Sequence, residues 1–174
     1  MRDLGSHLVD QALWLLGPAQ RVSASLDWVQ RPEGRTDAGF VLTIWHVGGA
    51  HSHISSSKLN RLESRELRLF GSLGSYVSSQ TDVQALAIFA GLRPADDPDG
   101  WGYETEERWG TLSTADGIQR VPSAQGSYTD YYNRFAAAVA GTGPQPVPAA
   151  EAVGTLAVLD AARISAAEGV TVAV

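Results

Sequence analysis

Phe40-Val-Leu-Thr-Ile-Trp-His-Val47 is a short run dense in β-branched and aromatic residues, and it reads as a strand. Gly34 and Asp37 mark a turn before it, and Gly48-Gly49 makes the turn after it. Both sides of the run are apolar, with Phe40, Leu42 and Ile44 on one and Val41, Trp45 and Val47 on the other. Successive side chains of a strand point to opposite faces, so this strand asks for cover on both.

The neighbouring segments supply the rest of a sheet. Upstream, Val22-Ser-Ala-Ser-Leu-Asp-Trp28 alternates apolar and polar residues, as a half-buried strand does. Downstream, residues 50–57 and 62–70 continue the series, and Gly71-Ser-Leu-Gly74 turns the chain into Tyr76-Val77. Residues 92–117 are rich in Pro, Gly, Asp and Trp, which predicts an ordered excursion rather than a core element. Two helices follow. One covers 128–140, with Ser127 as N-cap and Gly141 closing it; the other covers 149–167, after Pro146-Val147-Pro148 and before Gly169. Residues 170–174 form a last strand.

Consecutive strands joined by short turns give an α+β class, an open and mainly antiparallel sheet with helices packed on one face. The other face is then available for dimerisation, and a homodimer or higher homo-oligomer through it is expected.

The chain opens on a helix whose two sides differ. Asp3, His7 and Asp10 are spaced i, i+4, i+7, so two carboxylates and an imidazole share one stripe, joined by Gln11 and Trp14. Leu4, Leu8, Val9, Ala12, Leu13, Leu15 and Leu16 fill the opposite arc and can pack on a sheet. The polar side carries groups suited to proton transfer. On spacing alone the same residues also fit a helix start with an Asp cap and a solvent-facing histidine.

Composition narrows the function classes. A length of 174 residues suits a single domain over 1–174. Net charge is −6 and the Lys and Arg residues are scattered, so no concentrated basic surface exists for nucleic acid. The absence of cysteine excludes disulfides and thiolate metal sites. No apolar run approaches ~18 residues and no charged-then-apolar leader is present, so no membrane association and a cytoplasmic location are expected. His51 and His53 face one way on a strand, and with His7 or His46 they could hold a metal; a polar strand face beside Ser55 and Ser57 accounts for them without one, and no metal is expected.

Taken together, these motifs resemble the C-terminal domain of the glucose–fructose oxidoreductase/inositol dehydrogenase/MocA family over nearly the whole chain. Asp3-Leu-Gly-Ser-His7-Leu-Val-Asp10-Gln-Ala-Leu is similar to that family's Asp-x-x-x-His active-site helix, and Gly71-Ser-Leu-Gly74-Ser to its mid-sheet turn. Asp82-Val-Gln84, Gly91-Leu-Arg-Pro94 and Trp101-Gly102 resemble the branch that includes NADP-dependent inositol dehydrogenases. Tyr128-x-x-Tyr131-Tyr132, Pro146-Val147 and Asp160-Ala-Ala-x-x-Ser165 resemble its closing helices.

The resemblance implies an oxidoreductase that moves hydride between NAD or NADP and a secondary alcohol of a sugar or inositol. In that role His7 is the acid/base and Asp3 its partner, because the hydroxyl proton must leave with the hydride. Gly5 would leave room for substrate or nicotinamide, and Asp10 is a weaker candidate for substrate contact. Tyr128 and Tyr132 could edge a sugar pocket or, at helical spacing, pack in the core, and Trp101 could wall that pocket or anchor its loop.

Two family features are missing: the G-x-G-x-x-G turn of an upstream dinucleotide-binding domain, and a Glu-Lys-Pro segment whose lysine assists proton transfer. The chain is therefore expected to be the second half of such an enzyme, inactive alone and without tight cofactor binding. The alternative is a non-catalytic protein that keeps the sheet for dimerisation or for binding a small polar ligand.

Overall fold

A computed structural model describes residues 1–62, 65–79 and 81–174. In chain order its elements begin with helix α1 (Arg2–Leu16) and strands β1 (Ala19–Arg31), β2 (Gly34–His46) and β3 (His51–Ser57). Strands β4 (Leu67–Gly71) and β5 (Gly74–Ser78), helix α2 (Val83–Phe89) and strands β6 (Gly110–Thr114) and β7 (Gly117–Val121) follow. Helices α3 (Tyr128–Val139) and α4 (Ala149–Glu168) and strand β8 (Val172–Ala173) complete the chain. The fold is α+β, with two open antiparallel sheets of four strands each among the described residues. The chain divides into two compact units, Met1–Arg61 with Val147–Val174, and Leu62–Pro146.

The first unit contains the sheet β3-β2-β1-β8. Register places Val22 opposite Ile44, Ala24 opposite Leu42, Leu26 opposite Phe40, and Leu42 opposite Ile54. These side chains share the inner face. Val9 and Ala12 of α1 close on them, together with Val158, Leu159, Ala161 and Ala162 of α4. Small residues let α4 approach closely, and one of them completes the sheet. The short β8 pairs only with Arg21 and Val22, and beyond it the Ser165 hydroxyl accepts the Ala24 amide at 2.9 Å while donating to the Val170 carbonyl at 2.5 Å. Gly169 then ends α4 in the left-handed conformation, φ 71°, a cap that glycine adopts without a Cβ clash.

On the outer face of this sheet Arg21 lies opposite Trp45, Ser25 opposite Val41, and Thr43 opposite His53. The Arg21 guanidinium sits 4.7 Å from the Trp45 ring centroid. The apolar residues of β2 thus divide into an inner set that is almost wholly buried and an outer set in which Val41 is 53% exposed.

The second unit contains the meander β4-β5-β6-β7. Here the structure corrects three sequence expectations. The strand placed at 62–70 begins at Leu67, and Glu63 and Ser64 of that stretch lie outside the described residues. The excursion placed at 92–117 gives way to β6, whose Thr111 and Leu112 pair with Val77 and Tyr76; β7 follows it. Its Gly-, Thr- and Ser-rich sequence reads as loop, yet hydrogen bonding to β5 makes it strand, and the Tyr76 ring occupies the space beside Gly110 that a side chain would fill. Helix α2 lies where no helix is expected. It is short, and its start is fixed by the Asp82 carboxylate accepting the Ala85 amide at 3.0 Å.

Helix α3 starts as expected, with the Ser127 hydroxyl accepting the Asp130 amide at 3.1 Å. None of its residues is buried: Tyr131, Tyr132, Phe135 and Val139 are all exposed. Among the described residues no helix is long and apolar enough to cross a membrane.

Candidate active site

Helix α1 turns Leu4, Leu8, Val9, Ala12 and Leu13 toward the core and leaves Asp3, His7, Asp10 and Trp14 exposed. Its N-cap is Met1, which makes no side-chain cap, so Asp3 lies inside the first turn rather than capping it. There its carboxylate also faces the positive end of the helix dipole. The Asp3 carboxylate accepts a hydrogen bond from the Lys58 ammonium, Nζ to Oδ2 2.6 Å. That bond and the Lys58 charge hold the Asp3 carboxyl below the usual aspartate value, with smaller contributions from His7 and the N-terminal ammonium. His7 stands one turn further along the same exposed stripe. Asp10, one turn on again, shares Oδ1 with the Thr155 hydroxyl of α4 at 3.3 Å, a tie between the two helices.

Gly5 is buried and faces the other way. A Cβ there would lie 3.1 Å from Met1 Cγ, 3.3 Å from Leu159 Cδ2 and 3.5 Å from Phe40 Cζ. Close packing of α1 on α4 and β2 is sufficient reason for a glycine at this position.

Trp101, Tyr128 and Tyr132 belong to the second unit. Gln84, itself buried, accepts the Trp101 indole N–H at 3.0 Å and the Tyr128 amide at 2.9 Å through the same Oε1. The Tyr128 hydroxyl donates to the Asp82 carboxylate in a short hydrogen bond, which pushes the phenol upward. Burial pushes Asp82 up, but hydrogen bonds from Tyr128 and from the Ala85 and Gln84 amides, with the nearby Arg65 charge, carry it below its ordinary value. The polar atoms of Trp101 and Tyr128 are therefore engaged within their own unit, Trp101 with Gln84 of α2 and Tyr128 with Gln84 and with Asp82 at the start of α2. Tyr132 packs edge-on against Tyr131, with ring centroids 5.5 Å apart.

The histidines also separate. His51 and His53 lie on the outer face of β3, opposite Trp45 and Thr43, whereas His46 is buried between the carbonyl of Gly17 and the hydroxyl of Ser52. Among the described residues no group of three or more His, Asp or Glu side chains is placed to hold a metal ion.

Lys58 is the residue that sequence reasoning missed. It lies 55 positions from Asp3, and no local pattern connects the two.

The described residues show no phosphate-binding turn for a nicotinamide nucleotide. No G-x-G-x-x-G occurs in the sequence, and the one glycine offered to the cofactor has its Cβ direction filled by core side chains.

The exposed Asp3–His7 stripe thus lies on the outer side of a helix that backs an open antiparallel sheet. Residues 1–174 match the family described as "Oxidoreductase family, C-terminal alpha/beta domain", the Gfo/Idh/MocA oxidoreductases, and the chain belongs to it. It is 30% identical over 174 residues to the scyllo-inositol 2-dehydrogenase (NADP(+)) IolW of Bacillus subtilis, covering 98% of this chain and 48% of that protein. It is 31% identical over 163 residues to the uncharacterized oxidoreductase YdgJ of Escherichia coli, covering 91% and 45%. The structure of the putative oxidoreductase yvaA from Bacillus subtilis superposes with a TM-score of 0.86 at 30% identity, covering 99% of this chain and 50% of that one. The chain spans about half the length of the relatives it matches.

Proposed function

We propose that this chain is the substrate-side half of an NAD(P)-dependent oxidoreductase acting on a secondary alcohol of a sugar or inositol. The observation that carries the reading is the exposed Asp3–His7 stripe of α1, in a chain that belongs to this oxidoreductase family. The 30% identity to a scyllo-inositol dehydrogenase favours a cyclitol within that substrate class.

His7 takes the hydroxyl proton as the alcohol is oxidised and returns it in the reverse direction, since an imidazole accepts and gives a proton near working pH. Asp3 orients the imidazole or the substrate hydroxyl and stabilises the imidazolium that forms. Asp10 is a lesser member, one oxygen already shared with Thr155. Within the second unit the polar tips of Trp101 and Tyr128 are spent on Gln84 and Asp82, so a sugar contact by Trp101, Tyr128 or Tyr132 would be made through the rings. A nicotinamide, when bound, would supply the hydride acceptor; a dinucleotide-binding half would have to hold its phosphates, and this chain alone would be inactive. The outer face of the first sheet is where copies of the chain associate.

The test fuses the dinucleotide-binding half of the Bacillus subtilis scyllo-inositol dehydrogenase ahead of Met1 and follows NADP reduction with inositols. Turnover that His7→Ala abolishes, with the unfolding midpoint unchanged, supports the assignment. Full activity in His7→Ala would overturn it, and a folded fusion without any turnover would favour a non-catalytic sheet-based role.

A further inference from the structure

Lys58 reaches the acid–base stripe from the end of β3, and both its ends are fixed. Its amide donates to the Ala38 carbonyl at 2.7 Å, continuing the β2–β3 ladder one residue past Ser57. The next amide, of Leu59, is taken by the Ser57 hydroxyl at 3.2 Å. At the other end Nζ meets Asp3 Oδ2 at 2.6 Å. The lysine and aspartate side chains are 52% and 68% exposed, so the pair adds little to stability. A charge-assisted hydrogen bond of this length does fix where the carboxylate points. Asp3 and His7 lie on one stripe of α1, so a fixed Asp3 sets one direction of approach to the imidazole.

We propose that Lys58 is a positioning residue for the Asp3–His7 pair: its ammonium fixes the Asp3 carboxylate on the outer stripe of α1, one turn before His7. This rests on the reading of α1 as an acid–base helix and adds to it a residue from the sheet. The groups that face Asp3 are Lys58 from the end of β3, His7 on its own helix and the ammonium of Met1. Lys58 has the largest effect of the three, through both its hydrogen bond and its charge, so its removal should release the carboxylate.

Two measurements test the proposal. The first is a carbon-13 NMR titration of the Asp3 carboxyl in this chain, in the wild type, Lys58→Met and Lys58→Arg. The methionine variant should titrate closer to the ordinary aspartate value of 3.8, and the arginine variant should return toward the wild type. Identical midpoints in all three would overturn the coupling, whatever the enzyme does.

The second uses the fused enzyme, in which Lys58→Met should lower kcat/KM by about twofold to fivefold, the range that an exposed ion pair can supply. Lys58→Arg should restore most of it, and Asp3→Asn with Lys58→Met should be no worse than Asp3→Asn alone. If the Asp3 titration moves and turnover does not, the positioning role falls while the acid–base reading stands. If His7→Ala leaves turnover intact, the acid–base reading itself falls.

Discussion

The buried imidazole of His46 bridges two elements: its Nδ1 lies 2.7 Å from the Gly17 carbonyl and its Nε2 lies 3.0 Å from the Ser52 hydroxyl. A carbonyl only accepts, so Nδ1 is the donor to Gly17, and the Ser52 hydroxyl is the hydrogen-bond partner of Nε2. Both ring nitrogens are satisfied inside the fold, where His46 is 1% exposed. His46→Ala would leave a cavity and an unpaired carbonyl at the end of α1, and should cost about 3 kcal/mol. Urea unfolding of the variant measures it, and a loss well under 1 kcal/mol would contradict a structural role.

Glu104 does comparable work in the second unit. One carboxylate oxygen accepts the Thr81 amide at 2.8 Å and the Thr81 hydroxyl at 3.0 Å, and the other accepts the Ser123 hydroxyl at 2.6 Å. Burial pushes the carboxyl up, but those hydrogen bonds and the Arg108 charge carry it below the ordinary value of 4.5. A carboxyl lowered in the folded state contributes stability that is present above its unfolded value and lost as pH falls through its folded value. Glu104→Gln should therefore cost about 1–2 kcal/mol at neutral pH, discounted for partial exposure. The gap from the wild type should close as the pH drops below 4.5. A gap independent of pH between neutral and acid would show that the carboxylate charge is not what matters there.

The elements legible in the sequence are those with a strong period and a long run. Helix α1 shows its two sides at once, β2 its β-branched density, and α4 its Pro-led start and Gly169 stop. Strands β6 and β7 escaped because Gly110 and Gly117 read as turn punctuation, while their strand character comes from pairing with β5 and with each other. Helix α2 is too short to show a period, and its one local signal is the Asp82 cap. The site divides in the same way. Asp3 and His7 are neighbours by helical spacing and could be read locally; Lys58 is a neighbour only after β3 has folded back against α1. The separation of His46 from His51 and His53 depends on how the Val47–Ala50 turn sets the next strand's register, which spacing does not specify.

Gly5 offers a test of packing against site function. Alanine there gains about 1 kcal/mol of helix propensity. It would also press on Met1 Cγ at 3.1 Å and Leu159 Cδ2 at 3.3 Å, side-chain ends that can yield. Gly5→Ala should thus lie within about 1 kcal/mol of the wild type. Gly5→Val adds branching and two more methyl groups at the same contact, and should lose about 2–3 kcal/mol. Thermal unfolding of the two variants reads the difference directly. If valine is tolerated without loss, the α1–α4–β2 contact is looser than these distances describe, and the case for Gly5 as open space at a ligand is restored.

Val41 tests the proposed association of copies through the outer sheet face. It lies on β2, an inner strand of the order β3-β2-β1-β8, with Ser25 and Ser55 opposite it on the two neighbours. Its side chain is 53% exposed, so a polar replacement should leave the stability of the single chain nearly unchanged. In a face-to-face dimer the same position is covered, and a carboxylate buried there without a partner is costly. Val41→Glu should then weaken self-association by about 3 kcal/mol, roughly two orders of magnitude in the dissociation constant. Sedimentation equilibrium on the wild type and the variant provides the measurement. A wild type that stays monomeric at the highest concentrations reached, or a variant that dimerises equally well, would move the interface away from this face.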